Sequence, residues 1–394
     1  MNRHRTAAAA TLLALLLPVP LAAAGTAAAG TAAAADAPAA ATDSRRGAPE
    51  LPRPTGRFAV GQDTLHLVDR SRTDPWARSG PRELMVTMRY PARRDTGGTA
   101  RYLTREEARL LLVDRGLDKV IPVETLAGTV THSRPGARPI AGKYPLVVLS
   151  PGFTVHRSTL TALAEELASR GYVVASVDHA YESVGTAFPG GRVLECLACE
   201  RVEAGTPMKA VSDNRARDVS FLLDRLTGRD PLWRHSGVID AQRIAMAGHS
   251  IGGASAVAAM ATDPRIRAGI NLDGGLATPV PAAGLGGRPV MLVGAQERGP
   301  GGNKTWDDNW PLLDGWKRWI TFTGSGHFTF SDFPAIGERL GLPVDPNAPL
   351  PGTRSVELTR RYVTAFLDLH LRGTPQPLLD GPTADAPEVR FHTP

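Results

Sequence analysis

Apolar residues follow two patterns along the chain, and each pattern predicts a different kind of element. Short continuous apolar runs, such as 144–150 and 171–177, are typical of strands that are buried on both faces of a parallel sheet. Segments with an apolar residue at every third or fourth position predict helices that cover such a sheet. The further predicted strands are 243–247, 267–272, 289–294 and 319–323, and the predicted helices are 160–169, 213–226, 253–262 and 353–371.

Strands and helices therefore alternate at least four times, which predicts an α/β fold with a mostly parallel sheet and helices on both faces. Before this region, alternating residues over 83–90 and a strand-like stretch over 64–68 predict an antiparallel entry hairpin. Thr104 and Glu107 form a capping box, so we expect a helix there, in an insert that acts as a lid or a packed flank.

The first 35 residues are typical of a secretory signal peptide. A basic start over 1–5 precedes an apolar, Leu-rich segment over 6–24, and Ala-rich cleavage sites follow at Ala24/Gly25 and Ala35/Asp36. An uncleaved membrane anchor is the alternative, but two prolines interrupt the segment. We therefore predict secretion, a disordered Ala/Pro-rich leader over 36–55, and a single folded domain over 56–394.

Composition narrows the classes of function. The chain is 42% hydrophobic and 21% charged, which excludes a fully disordered protein. Its net charge of +6 comes from scattered basic residues rather than a basic run, so no nucleic-acid partner is expected and contact with a lipid surface would be transient. The sequence gives no basis for predicting an oligomeric state.

Two cysteines, Cys196 and Cys199, stand in one loop. Export favours a disulfide between them, and no nearby His/Cys cluster supplies the further ligands that zinc requires. A redox role is not favoured, because a reactive CxxC pair normally opens a helix beside a strand.

A candidate nucleophile lies in the pentapeptide from Gly248 to Gly252, which has the pattern G-x-S-x-G around Ser250. The motif alone is weakly specific, but here an apolar strand precedes it and a helical segment follows. This is the setting of a nucleophile elbow, in which a strained turn exposes the serine at a helix N-terminus.

A serine hydroxyl needs a base at neutral pH, and a carboxylate normally orients that base. His327 is the best candidate base because it follows the last predicted parallel strand in a turn of small residues; His156 and His179 are rivals. Asp273 is favoured as the acid because it directly follows a strand, and Glu297 after the next strand remains the alternative.

Acyl transfer also requires donors for the tetrahedral oxyanion, and backbone N–H groups usually supply them. The N–H of Ile251, directly after the nucleophile, is one expected donor. The other is the N–H of Phe153, in the turn after the strand over 144–150. The chemistry requires no metal and no cofactor.

Several segments together resemble the plasma-type platelet-activating factor acetylhydrolases and their bacterial lipase and esterase relatives, over about Pro54 to Gly373. The segments that carry the resemblance are 150–153, 171–179, 248–254, 269–274 and 324–333. The resemblance implies an α/β-hydrolase fold, Asp273 as the acid, and oxyanion donors at Phe153 and Ile251. The family often has a histidine before the oxyanion glycine, where this chain has Pro151.

The expected function is a secreted serine esterase or lipase that cleaves short-chain or lipid-derived esters through an acyl-enzyme. A polyester or cutin hydrolase is the alternative within the same chemistry. A serine peptidase or acyltransferase on the same fold, and a non-catalytic binding protein, are alternatives of other classes. Phe153, Trp306, Trp310 and Phe328 are candidates for lining an acyl pocket, although core packing would explain each equally well.

Overall fold

The computed structural model describes residues 47–94, 98–342 and 344–394. The strands in these ranges are β1 (Ala59–Thr73), β2 (Pro81–Ala92), β3 (Ser133–Pro135), β4 (Tyr144–Ser150), β5 (Val173–His179), β6 (Thr186–Phe188), β7 (Arg192–Leu194), β8 (Ile239–His249), β9 (Ile266–Leu272), β10 (Val290–Gly294), β11 (Lys317–Phe322) and β12 (Val389–His392). The α-helices are α1 (Arg105–Asp114), α2 (Val123–Ala127), α3 (Thr161–Ser169), α4 (Leu197–Glu203), α5 (Met208–Thr227), α6 (Ile251–Thr262), α7 (Lys304–Asn309), α8 (Phe333–Leu340) and α9 (Gly352–Arg372).

One sheet organises the described residues: ten strands in the order β12-β11-β10-β9-β8-β4-β5-β2-β1-β3. The six strands from β11 to β5 run parallel to one another, and β2 pairs antiparallel with both β5 and β1. This confirms the predicted mostly parallel α/β sheet, and β1 with β2 forms the expected entry hairpin.

Both faces of the sheet are covered, because successive side chains of a strand point to opposite sides. In β4, Leu146 and Val148 belong to a core that also contains residues of α5 and α6. Their neighbours Val147 and Leu149 pack into a second core with residues of α3 and α9. The continuous apolar run of β4 is therefore required by burial on both sides.

The insert after β2 forms a packed flank. Thr104 accepts a hydrogen bond from the N–H of Glu107, whose carboxylate accepts one from the N–H of Thr104, so the predicted capping box is present. Apolar residues of α1 and α2 pack against Ile336 and Leu340 of α8 in a separate small core.

The predicted leader extends too far toward the C-terminus. Leu51 is 1% exposed and its N–H donates to the carbonyl of Val130, and the Thr55 hydroxyl donates to Glu166. A single buried leucine anchors a stretch whose composition otherwise favours disorder. The predicted signal peptide and most of the predicted leader lie outside the described residues. Within the described ranges, no helix has the length and apolar character needed to cross a bilayer.

The cysteine segment also differs from the prediction of a simple loop. The two cysteines are joined by a disulfide, and Cys196 caps α4, whose first turn contains Cys199. The antiparallel pair β6 and β7 precedes it. The sequence analysis missed this compact unit because its strands have only three residues each.

Candidate active site

Ser250 lies between β8 and α6 in a strained backbone conformation, with φ 56° and ψ −127°. A positive φ is unfavourable for a residue with a side chain, and it persists only where the surroundings enforce it. Here the Ser250 N–H donates to the carbonyl of Leu272 over 2.7 Å, and the Ser250 carbonyl accepts from the N–H groups of Gly253 and Ala254. The turn leaves the serine half-buried at the start of α6.

The glycines of the motif are required by close backbone packing. A Cβ atom on Gly252 would lie 2.0 Å from the carbonyl oxygen of Ser150, and one on Gly248 would lie 2.4 Å from the carbonyl carbon of Gly252. The same approach brings the turn after β4 against the start of α6.

His327 and Asp273 complete a chain of hydrogen bonds to Ser250. Nε2 of His327 lies 3.0 Å from Oγ of Ser250, and Nδ1 of His327 lies 2.5 Å from Oδ2 of Asp273. Asp273 directly follows β9, and His327 opens a short 3₁₀ helix after β11. With the imidazole neutral, its Nδ1–H donates to Asp273 and its Nε2 accepts from the Ser250 hydroxyl.

The second carboxylate oxygen of Asp273 is also held in place. Oδ1 of Asp273 accepts from the N–H of Ala295 over 2.7 Å and lies 3.3 Å from Nε of Arg298. The Asp273 side chain is 1% exposed, whereas that of His327 is 40% exposed. The His327 ring can therefore reach bulk water, while the Asp273 carboxylate that it contacts stays dry.

His249 supports the loop that carries His327. Its Nε2–H donates to the carbonyl oxygen of His327 over 2.7 Å, and the two rings lie 4.7 Å apart. Burial, with a smaller electrostatic effect of the neighbouring His327 ring, lowers the pKa of His249 to about 3. His249 is therefore neutral at physiological pH and acts as a hydrogen-bond donor to the loop.

Among the described residues, the two N–H groups expected at the oxyanion have no hydrogen-bond acceptor. Ile251 is the first residue of α6, so it has no helical carbonyl four residues earlier to accept from its N–H. The N–H of Phe153 donates no hydrogen bond within the described part of the chain. Both residues belong to one cluster of apolar side chains beside Ser250.

A profile of the family described as "Platelet-activating factor acetylhydrolase, isoform II" matches residues 51–189 and 199–373. The chain belongs to this family. It is thus an enzyme of the serine hydrolase class that acts on carboxylic esters, as the sequence analysis predicted.

Three relatives illustrate the range of the similarity. A "Probable 1-alkyl-2-acetylglycerophosphocholine esterase" of Arthroderma benhamiae is 30% identical over 86% of this chain and 93% of its own length. A "Bis(hydroxyethyl) terephthalate hydrolase" of Streptomyces coelicolor is 29% identical over 39% of this chain and 42% of its own length. The solved structure of a ferulic acid esterase from Streptomyces cinnamoneus is 46% identical, covers 88% of this chain and 99% of its own, and superposes with a TM-score of 0.79.

In this member of the acetylhydrolase family, apolar side chains surround the start of α6. We call this group the elbow cluster. It consists of the buried residues Trp76, Ala198, Val211, Ile251 and Ala254 and the partly buried Phe153, Tyr181, Cys196, Leu197, Val202, Met208, Ala210 and Ala277. The disulfide between Cys196 and Cys199 fixes the segment that supplies several of these side chains.

The remaining candidates from the sequence lie elsewhere. Glu297 is exposed in the turn after β10, and no hydrogen bond or ion pair joins it to His327 in the described ranges. His156 is buried and bonds to the carbonyl of Gly185. Trp306 is 0% exposed and donates to the carbonyl of Gly274, so it is a core residue rather than a pocket wall.

Phe328 and Trp310, the other two aromatic candidates, have different surroundings. Phe328 lies next to the ring of His327, with the guanidinium of Arg115 5.2 Å from the centre of its ring. Trp310 packs on Trp319 near the N-terminal end of β11, and the ammonium group of Lys317 lies over the ring of Trp310. Phe328 is thus the one of these two that packs on the His327 ring in the described residues.

The sequence analysis missed a second Ser–His–Asp arrangement. Oγ of Ser150 lies 3.1 Å from Nε2 of His179, and Nδ1 of His179 lies 2.8 Å from Oδ2 of Asp218. All three residues are buried, with at most 2% of each exposed. A substrate cannot reach this serine, so the arrangement is structural.

Proposed function

We propose that the chain is a secreted serine esterase in which Ser250 is the nucleophile, His327 the general base and Asp273 the residue that orients the base. The observation that carries this proposal is the continuous hydrogen-bonded path of 3.0 Å and 2.5 Å from the serine to the aspartate. The position of Ser250 in a strained turn at the N-terminus of α6 gives further support.

The steps follow from these positions. Oγ of Ser250 attacks the ester carbonyl carbon as its proton passes to Nε2 of His327, and the carbonyl oxygen becomes an oxyanion. The C–O bond to the alcohol then breaks, and His327 donates its proton to that leaving oxygen. A water molecule, deprotonated by His327, attacks the acyl-enzyme and releases the carboxylic acid with Ser250 regenerated.

The oxyanion would be bound by the N–H groups of Phe153 and Ile251. Neither N–H has an acceptor in the described part of the chain, and both residues belong to segments that meet where Gly252 touches the turn after β4. Preorganised donors of this kind stabilise developing charge without reorganising during the reaction.

The proposed substrates are short-chain or lipid-derived esters, in line with the esterase of Arthroderma benhamiae. Hydrolysis of polyesters or of aromatic-acid esters is the second candidate. The similarity to a terephthalate hydrolase and to a ferulic acid esterase supports it, as does the presence of Phe153 and Tyr181 in the elbow cluster.

A fluorophosphonate probe tests the chemistry. Wild-type protein should be labelled on Ser250, as located by peptide mass spectrometry, and Ser250→Ala should not be labelled. Labelling of both proteins at another residue would contradict the proposal. A series of p-nitrophenyl esters of increasing acyl length, beside ethyl ferulate and a polyester film, then separates the two substrate classes.

Secretion is tested separately. We expect protein recovered from the culture medium to begin at Gly25 or Asp36, as determined by N-terminal sequencing. Retention of the intact N-terminus in a membrane fraction would favour the uncleaved anchor instead.

A further inference from the structure

Arg215 of α5 lies outside the reacting group, yet its guanidinium contacts the turn that leads to Phe153. The residue is 1% exposed. Its Nη1 donates to Oγ of Ser150 over 3.1 Å and to the carbonyl oxygen of Pro151, and its Nη2 donates to the carbonyl oxygen of Gly152 over 3.5 Å. One side chain therefore holds three successive residues of the turn after β4.

The last of these contacts acts on the peptide group that carries the expected oxyanion donor. The carbonyl of Gly152 and the N–H of Phe153 belong to one planar peptide group, and no cis peptide occurs in the described residues. The two bonds therefore point in opposite directions. Holding the carbonyl toward Arg215 turns the N–H of Phe153 away from it, and a cation at the carbonyl polarises the group so that this N–H is a better donor.

Arg215 is itself held in place. Its Nε donates to Oε2 of Glu182 over 2.7 Å, and both side chains are 1% exposed. Oε1 of Glu182 accepts from the side chains of Trp76, Arg82 and Asn214. Burial alone would raise the pKa of Glu182, but Arg215 and Arg82 keep it below its usual value. The carboxylate thus remains charged and fixes the orientation of the guanidinium.

The buried arrangement of Ser150, His179 and Asp218 serves the same turn. Burial, together with the charge of Arg215, lowers the pKa of His179, so its ring is neutral. Its Nδ1–H then donates to Asp218, and its Nε2 accepts from the hydroxyl of Ser150. The oxygen of that hydroxyl is left to accept from Arg215. The Ser150 hydroxyl therefore both donates and accepts, which fixes its orientation at the end of β4.

We propose that Arg215 is a positioning residue for catalysis, which orients the peptide between Gly152 and Phe153 so that the Phe153 N–H faces the oxyanion. The proposal rests on the proposed function, because it assumes acyl transfer at Ser250. It assigns a catalytic consequence to a buried ion cluster that otherwise contributes only to the fold.

Arg215→Lys is the test variant, because it keeps a positive charge but cannot form the forked contacts. We expect kcat for a p-nitrophenyl ester to fall about 10- to 100-fold, while KM changes by about threefold or less. The inhibition constant of a trifluoromethyl ketone, which forms an oxyanion on Ser250, should rise in step with the loss in kcat/KM. Binding of the matching methyl ketone, which stays uncharged, should change little.

Arg82→Lys is the matched control. Arg82 is buried in the same cluster and donates to Glu182 and Asp218, but the main-chain carbonyl that it contacts is that of Ala180 rather than one in the turn. We expect it to lower the melting temperature while kcat stays within about threefold of wild type.

Two results would overturn the proposal. One is that Arg215→Lys has the kcat and the trifluoromethyl ketone affinity of wild type. The other is that Arg215→Lys and Arg82→Lys lose kcat equally at equal loss of stability.

If Arg215→Lys does not fold, Glu182→Gln is tested instead, since this substitution leaves Arg215 present but removes its charged partner. A parallel loss of kcat and trifluoromethyl ketone affinity is again expected, and unchanged values overturn the proposal. Fluorophosphonate labelling of wild type separates the two hypotheses: absence of labelling at Ser250 refutes the proposed function itself.

Discussion

The N–H of Ser250 donates a 2.7 Å hydrogen bond to the carbonyl oxygen of Leu272, the residue directly before Asp273. The turn that carries Ser250 and the turn that carries Asp273 are therefore fixed to each other through the main chain. Both turns also have a positive φ, 56° at Ser250 and 60° at Asp273. A change in one turn should displace the reacting group of the other.

Gly274→Ala tests this coupling. A Cβ atom there would lie 2.0 Å from the carbonyl oxygen of Ser250, so the main chain must move. We expect the free energy of unfolding to fall by about 1–3 kcal/mol and kcat to fall more than KM changes. Gly275→Ala is the control, because its Cβ would meet the side chain of Thr305 at 3.5 Å, an ordinary contact. Equal effects of the two substitutions, in urea unfolding and in ester hydrolysis, would refute the coupling.

The identity of the acid can be tested with a pair of isosteric substitutions. In Asp273→Asn the amide can no longer hold the imidazole as the tautomer that accepts from Ser250, so we expect kcat to fall about 10³- to 10⁴-fold. Glu297→Gln should keep kcat within about twofold of wild type, since no hydrogen bond or ion pair joins the exposed Glu297 to His327 in the described residues. The reverse outcome in steady-state kinetics would assign the role to Glu297.

Low pH should destabilise the folded protein in part through His249. Its pKa is about 3 in the folded protein and takes the usual value of 6.5 when the chain unfolds. The unfolded chain therefore binds a proton that the folded protein excludes, so the stabilising contribution is complete above pH 6.5 and is lost as the pH falls toward 3. Between about pH 6.5 and 4.5, we expect wild type to lose about 2–3 kcal/mol more than His249→Gln. Urea unfolding of both proteins across this pH range measures the difference. If the free energy of unfolding falls in parallel for wild type and His249→Gln, His249 is not the group responsible.

Removal of the disulfide should affect both stability and substrate choice. A disulfide that closes so short a loop removes little conformational entropy from the unfolded chain. The double substitution Cys196→Ser and Cys199→Ser should therefore lower the free energy of unfolding by about 2 kcal/mol. Leu197, between the two cysteines, lies in the elbow cluster, so KM for a bulky aromatic ester should rise more than KM for an acetate. An equal change for both esters would mean that this segment does not contact the acyl group.

Much of the fold follows from apolar patterning, because strands buried on both faces leave a clear signal in the sequence. β4, β5, β9 and β10 were predicted within two residues at each end. Leu51 was missed because one leucine among prolines and alanines gives no periodicity, although its burial fixes the start of the folded region. β12 was missed because a four-residue edge strand with two polar side chains resembles a tail.

The proposed reacting group could be predicted from the sequence for a similar reason. Ser250 lies in a local motif, and Asp273 and His327 each follow a strand whose carboxyl end faces the same edge of the sheet. The buried cluster around Arg215 was not predictable. Its members come from separate elements, and charged residues are normally expected at the surface, so only their contacts in the fold reveal that Arg215 and Glu182 are internal.

The elbow cluster draws its side chains from the segments that join the strands, including Trp76, Tyr181 and Leu197, whereas the proposed reacting residues follow the strand ends themselves. Grafting a connecting segment from a relative should therefore redirect the enzyme to another acyl group while leaving the bond-breaking machinery intact. This separation makes the chain a suitable starting scaffold for engineering ester selectivity.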